Sequence, residues 1–179
     1  MIATMARQGQ TVGNDSFPPS SSHDATPVPL AVHASAVAIG GRAIIIQGPS
    51  KSGKSTLALA LIEASTPAQP VKLIGDDRVI LSCFGDDVLV SPHPRIAGMI
   101  EKRGYGIVSM PYASDIPLAG AVDLRLDEGE PFSLEQRPAT CRLLEKDFPS
   151  LYLYPESIWT GRGQVVLDWV TATLTAHSA

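Results

Sequence analysis

Gly48-Pro49-Ser50-Lys51-Ser52-Gly53-Lys54-Ser55 decides how this chain is read. It matches the spacing G-x-x-x-x-G-K-[ST] at every fixed position, the pattern of a loop whose backbone N–H groups turn inward around a polyphosphate. The flanks strengthen the match. Ala43-Ile44-Ile45-Ile46 precedes it, a short β-branched apolar run that predicts a buried strand. Ser55-Thr56-Leu57-Ala58-Leu59-Ala60-Leu61-Ile62-Glu63 follows, rich in helix formers and ended before Pro67. Leu57/Leu61 and Ala58/Ile62 are i,i+4 pairs that give this helix a face to lay on a sheet. Strand, glycine-bearing loop and helix therefore stand in the order a phosphate site requires. Gly48, Pro49, Ser50, Lys51, Ser52, Gly53, Lys54, Ser55 and Thr56 are the candidate nucleotide-binding residues. Lys54 would bring a point charge to the β- and γ-phosphates, and the Ser55 hydroxyl would face Mg²⁺ at the positive end of the helix.

Composition narrows the rest. The 179 residues suffice for one domain with its own core, and a hydrophobic content of 44% is ordinary for a globular protein. A net charge of −4 gives no electrostatic reason to expect nucleic acid. Cys83 and Cys141 stand apart with no C-x-x-C spacing, which suits free thiols in a reducing cytoplasm and gives no zinc pattern. No apolar run approaches the roughly 20 residues that cross a bilayer, and no apolar leader is seen at the N-terminus. Residues 1–30 are polar and proline-rich, as in Phe17-Pro18-Pro19-Ser20-Ser21-Ser22, and read as a disordered or loosely attached tail before a domain at 31–179.

Along that domain, Gly40-Gly41 between two apolar runs predicts a hairpin whose second strand leads into the loop. A second hairpin is expected where Val79–Cys83 and Val88–Ser91 flank Gly85-Asp86-Asp87. Val71–Ile74, Ile107–Met110 and Ala121–Leu126 read as further strands. Ile96, Met99 and Ile100 have helical spacing, which places Glu101 and Arg103 at a charged helix end. Residues 127–140 read as loop. Val166, Trp169, Val170 and Thr173 fall at i, i+3, i+4 and i+7, an amphipathic helix. The fold class is α/β: a mixed sheet with hairpins before and after the phosphate loop.

Asp76 and Asp77 close the predicted strand after the helix. A carboxylate there can hold Mg²⁺ directly or through water, and a second can accept a proton from an attacking hydroxyl. A solvated acidic turn is the plain alternative, and fits Asp86-Asp87. His33 precedes the first hairpin strand, which would fold it back toward the loop; a lone histidine is more often structural. His93 and His177 read as surface residues.

Four pieces in order then resemble one family: Val32-His33-Ala34-Ser35, the loop 48–55, Leu73-Ile74-Gly75-Asp76-Asp77-Arg78-Val79, and Ile100-Glu101-Lys102-Arg103-Gly104-Tyr105-Gly106-Ile107-Val108. Residues 31–126 resemble the catalytic domain of HPr kinase/phosphorylase, the serine kinase of the phosphocarrier HPr, in the short form found in alpha-proteobacteria. The last piece resembles that family's E-x-R-G-x-G-I segment. The resemblance implies a fold like the nucleotide domain of phosphoenolpyruvate carboxykinase, ATP as substrate, Mg²⁺ as cofactor, HPr or an HPr-like carrier as partner, and hexamers. It implies that Asp77 is the general base, that Asp76 supports it and the metal, that Ser55 and Glu101 ligate Mg²⁺, and that His33 and Arg103 belong to the active site. Two departures stand out. Ser50-Lys51-Ser52 replaces a stretch that usually carries a further glycine. Leu153-Tyr154-Pro155-Glu156-Ser157 lies where the family has an arginine-bearing loop, and Arg162 is the nearest arginine. The kinase direction is less affected than phosphorolysis and HPr docking.

Two other readings use the same loop: a regulator that binds ATP without transferring phosphate, and a kinase acting on a metabolite such as free serine. Guanine readout by N-K-x-D is excluded, since Asn14 is the only asparagine. No L-S-G-G-Q segment of an ABC-type ATPase is present.

Overall fold

A computed structural model of the protein describes residues 28–124, 140–153 and 162–176. Residues 1–27 of the expected tail, Tyr154–Ser157 and His177 lie outside the described residues. Within them the chain is a mixed α/β structure built on one curled sheet. Its elements are β1 (Leu30–Val32), β2 (Ser35–Ile39), β3 (Arg42–Gln47), α1 (Lys54–Glu63), β4 (Val71–Gly75), β5 (Val79–Phe84), β6 (Asp87–Pro92), β7 (Met99–Lys102), β8 (Gly106–Ser109), β9 (Ile116–Asp123), β10 (Thr140–Leu143), β11 (Lys146–Tyr152) and α2 (Arg162–Ala176).

The main sheet runs in the order β1-β5-β6-β9-β3-β2-β4, with the β10–β11 hairpin joined through β11 to β9. β2 and β3 form the antiparallel hairpin that Gly40-Gly41 announces, with Ser35 opposite Ile46 and Ile39 opposite Arg42. Both glycines have positive φ, as a two-residue hairpin turn demands. β5 and β6 form the second expected hairpin. β3, β9 and β11 are mutually parallel, so Gln47, Asp123 and Tyr152 end at one edge of the sheet.

β3 is an unbroken apolar run because both of its faces are covered. Ile44 and Ile46 belong to a core with Leu57 and Leu61 of α1 and with Val166, Leu167 and Val170 of α2. Ala43 and Ile45 point the other way, into a second core with Ile74, Val79, Leu81 and Val90. All four are essentially inaccessible to solvent, as are Ala58 and Leu61 on the predicted sheet-facing side of α1. The C-terminal amphipathic helix forms as α2. Gly120 in β9 lets it approach, since a Cβ there would stand 2.9 Å from the Trp169 ring and 2.8 Å from the Pro149 carbonyl oxygen.

The structure corrects the reading of residues 94–109. Pro94–Ile96 is a single 3-10 turn, and Met99–Lys102 and Gly106–Ser109 pair as a two-stranded antiparallel hairpin. Glu101 therefore lies on a strand and Arg103 in the hairpin turn, not at a helix end. Ile96, Met99 and Ile100 mimic helical spacing, but Gly98, Gly104 and Gly106 all take positive φ and leave too few residues between them for a helix. Gly98 closes the hairpin base: Met110 donates its N–H to the Gly98 carbonyl, and a Cβ on Gly98 would meet Met110 O and Tyr112 at 2.9 Å. β9 also starts earlier than expected, at Ile116, and ends at Asp123. The β10–β11 hairpin has no counterpart in the sequence reading.

Candidate functional site

Strand register gathers the candidate residues at one end of the sheet. β2 runs antiparallel to β4, with Ala36 opposite Gly75, so Ser35 and Asp76 are neighbours. β1 runs antiparallel to β5, with Val32 opposite Val79, so His33 comes beside the Asp76-Asp77 turn. β3 ends at the same place and feeds the Gly48–Ser55 loop. A cavity of about 400 Å³ opens there, lined by His33, Ser50, Lys51, Gly53, Lys54, Ser55, Thr56, Asp77, Glu101 and Arg103.

The two adjacent acids diverge because Asp77 takes a left-handed conformation, φ 62°, while the Arg78 N–H closes a tight turn on the Asp76 carbonyl at 2.7 Å. A short acidic side chain tolerates that conformation better than most. Asp76 is thereby buried and Asp77 exposed. Asp76 Oδ1 accepts from Ser35 Oγ at 2.5 Å and from Ser55 Oγ at 2.9 Å, and Asp76 Oδ2 accepts from the Glu101 N–H at 3.2 Å. One carboxylate thus ties β2, α1 and β7 together. Asp77 Oδ1 faces His33 Nδ1 at 3.2 Å, and both side chains are open to solvent.

The loop itself needs its first glycine. Gly48 has φ 144°, and a Cβ there would lie 2.7 Å from Ser52 Oγ and 3.1 Å from Leu124. Gly53 adopts a left-handed conformation immediately before α1. That helix starts with no side-chain cap and no acid in its first turn, so its N-terminal N–H groups are left for an anion. Ser52 is buried and its hydroxyl makes no hydrogen bond among the described residues. Lys54 is also buried. Its Nζ donates to the carbonyl oxygens of Gly48 at 3.0 Å and Pro49 at 2.9 Å, so it stitches its own loop. Burial pulls the Lys54 ammonium below its ordinary value of 10.5, against the opposing pull of Asp77 and then Asp76.

Every sequence-predicted site residue therefore reaches this end of the sheet, though not every one faces the cavity. Gly48, Pro49 and Ser52 form the back of the loop, and Asp76 stands behind Ser55. The sequence reading missed Ser35. Its only signal was its place one strand-pair from Asp76, which needs the register of β2 on β4. As for a metal, no group of three or more His, Cys, Asp or Glu side chains is arranged to hold one among the described residues. The Ser55 hydroxyl, the Asp76 carboxylate and Glu101 are instead a sparse set of oxygen donors. Such a set fits Mg²⁺, which usually takes one or two carboxylates and fills its sphere with phosphate oxygens and water.

Comparison with known proteins meets this geometry. Residues 27–113 match the family described as the HPr Serine kinase C-terminal domain. An HPr kinase/phosphorylase of Mycoplasma mycoides is 39% identical over 75 residues, covering 42% of this chain and 22% of that protein. One of Clostridium acetobutylicum is 40% identical over 81 residues, covering 45% and 25%. One of Treponema pallidum is 36% identical over 83 residues, covering 45% and 24%. The chain thus spans 22% to 25% of the length of these curated relatives. The solved structure of the Hpr(Ser) kinase/phosphatase from Coxiella burnetii superposes with a TM-score of 0.68 at 20% identity, covering 84% of this chain and 99% of that one, and shows a shared fold. The resemblance read from the four motifs is thus matched by a family model, by curated relatives and by a fold.

Proposed function

We propose that the chain is an ATP- and Mg²⁺-dependent protein serine kinase whose acceptor is HPr or an HPr-like phosphocarrier. The observation that carries this reading is the pairing of two acids with two tasks beside one glycine-bearing loop: Asp76 buried against Ser55, and Asp77 exposed against His33. The names of the matched relatives support the choice of acceptor.

In this reading the Gly48–Ser55 loop is a phosphate-binding loop. The N–H groups at the start of α1 and the Lys54 ammonium hold the β- and γ-phosphates, Lys54 exchanging its loop carbonyls for phosphate oxygens. Ser55, Asp76 and Glu101 would hold Mg²⁺, which supplies charge neutralisation on the phosphate chain when bound. Asp77 accepts the proton of the acceptor serine as its oxygen bonds to the γ-phosphorus; the bond from that phosphorus to the β-phosphate oxygen breaks, and ADP leaves. His33 holds the Asp77 carboxylate in position, and Arg103 faces the transferred group from the β7–β8 turn. Alignment and fixed charge do most of the work.

Incubation with labelled ATP, Mg²⁺ and purified HPr-type carriers, followed by mapping of the label, tests this. Label on a carrier serine is the expected result. Nucleotide binding with no transfer would make the chain a nucleotide-sensing regulator, and label on free serine or another metabolite would make it a small-molecule kinase.

A further inference from the structure

Lys51 sits at the outer turn of the Gly48–Ser55 loop with φ 66°, in the left-handed region that a long side chain rarely occupies. Gly48 and Gly53 take positive φ in the same loop at no steric cost, so a third glycine would relax position 51 as well. A lysine kept in a strained backbone conformation at a cavity wall points to use of its side chain. Lys51 is exposed, lines the same cavity as Lys54, Asp77 and Arg103, and makes no hydrogen bond or ion pair among the described residues. Lys54, in contrast, is buried and already spends two of its three donors on Gly48 O and Pro49 O.

We propose that Lys51 is a second phosphate-binding cation of the loop, one that engages the terminal phosphate of a nucleoside triphosphate from the solvent side. The inference rests on the loop being a nucleotide site. Its chemistry is simple: an ammonium on a flexible stem meets the solvent-facing oxygens of the outermost phosphate, while Lys54 and the α1 N-terminus hold the β- and γ-phosphates from within the loop. Lys51 thereby adds affinity for a triphosphate over a diphosphate, which a loop bearing glycine at this position cannot do through a side chain.

Calorimetric titration of the full chain with MgATP and MgADP tests it on four variants. Lys51→Gly relaxes the backbone and removes the charge; Lys51→Met removes the charge at unchanged strain; Lys51→Arg keeps the charge; Lys54→Ala reports the loop itself. Loss of one charge-assisted contact is expected to weaken MgATP about tenfold in both Lys51→Gly and Lys51→Met. MgADP should change far less, and Lys51→Arg should bind as the parent does. Thermal melts are expected to show Lys51→Gly no less stable than the parent, which separates lost affinity from lost fold. If Lys54→Ala weakens MgATP while Lys51→Gly and Lys51→Met do not, the role of Lys51 is overturned and the nucleotide site stands. If ATP and ADP weaken equally, Lys51 does not read the terminal phosphate. If no variant changes affinity, the loop is not a nucleotide site and both readings fall.

Discussion

On one side of the cavity the Gly48–Ser55 loop hangs from β3, whose Ala43–Ile46 are buried on both faces, and runs into α1, where Leu57, Ala58 and Leu61 are buried. On the other side the β7–β8 hairpin sends Ile100 into the core and leaves Tyr105 and Ile107 largely exposed. The loop rim is stitched from within by Lys54. The hairpin rim is tied to the rest by the Glu101 N–H on Asp76 and by the exposed ion pair of Lys102 with Glu63 of α1. In the proposed kinase the two rims meet different demands. Phosphates have one shape and reward a preorganised cradle. A protein acceptor presents a larger and more varied surface, and a lightly anchored hairpin can adjust to it.

The largest effects should fall where the two rims face the transferred group. Asp77→Asn is expected to keep nucleotide binding and to slow transfer by roughly a hundredfold to ten-thousandfold, the range for losing a positioned base. Single-turnover transfer beside equilibrium nucleotide binding checks it, and parental transfer rates would remove Asp77 from the chemistry. Lys54→Ala should lower kcat/KM for MgATP by roughly a hundredfold to a thousandfold while circular dichroism shows the fold intact. Unchanged turnover would break the division between the rims, because the loop rim would then hold no phosphate.

A gentler change separates them further. Ile100→Val trims the hairpin's anchor and should cost about 0.5–1.5 kcal/mol in chemical denaturation. It should raise the KM for the acceptor more than the KM for MgATP. Equal changes would mean that the rims move as one body.

The smallest expected effect is a pH dependence of stability. Burial lowers the Lys54 ammonium from 10.5, so between the lowered value and 10.5 the unfolded chain keeps a proton that the folded chain has released. Stability contributed by Lys54 therefore rises with pH across that window and is lost as pH falls through it. Lys54→Met should flatten this rise in denaturation curves recorded below pH 10.5. Affinity for nucleotide should move the opposite way, because the ammonium that meets phosphate is lost earlier than from an ordinary lysine.

The loop rim was largely legible in the sequence and the hairpin rim was not, for a physical reason. β3 and α1 carry dense, redundant signals: consecutive β-branched residues, a spaced glycine loop and i,i+4 leucines. Residues 99–109 offer one deeply buried side chain, Ile100, and a spacing from Ile96 to Ile100 that a helix and a strand share. The deciding information was the positive φ of Gly98, Gly104 and Gly106, which glycine permits but does not announce. Ser35 was hidden for a different reason. Its meaning comes from its partner Asp76, and only the register of β2 on β4 joins residues so far apart in sequence. β10–β11 gave little signal because β10 alternates over only four residues and β11 is partly buried along nearly its whole length, with Pro149 inside it.

The parallel run of β3, β9 and β11 carries a practical corollary. Leu124 donates its N–H to the Gln47 carbonyl and Leu153 donates to that of Asp123, so the chain quits the sheet beside the glycine-bearing turn on three separate occasions. Peptide grafted behind Leu124 or Leu153 would leave the sheet beside the Gly48–Ser55 loop. In the proposed kinase, acceptor preference could then be reprogrammed by swapping those two exits, with the glycine-bearing loop kept as a common chassis.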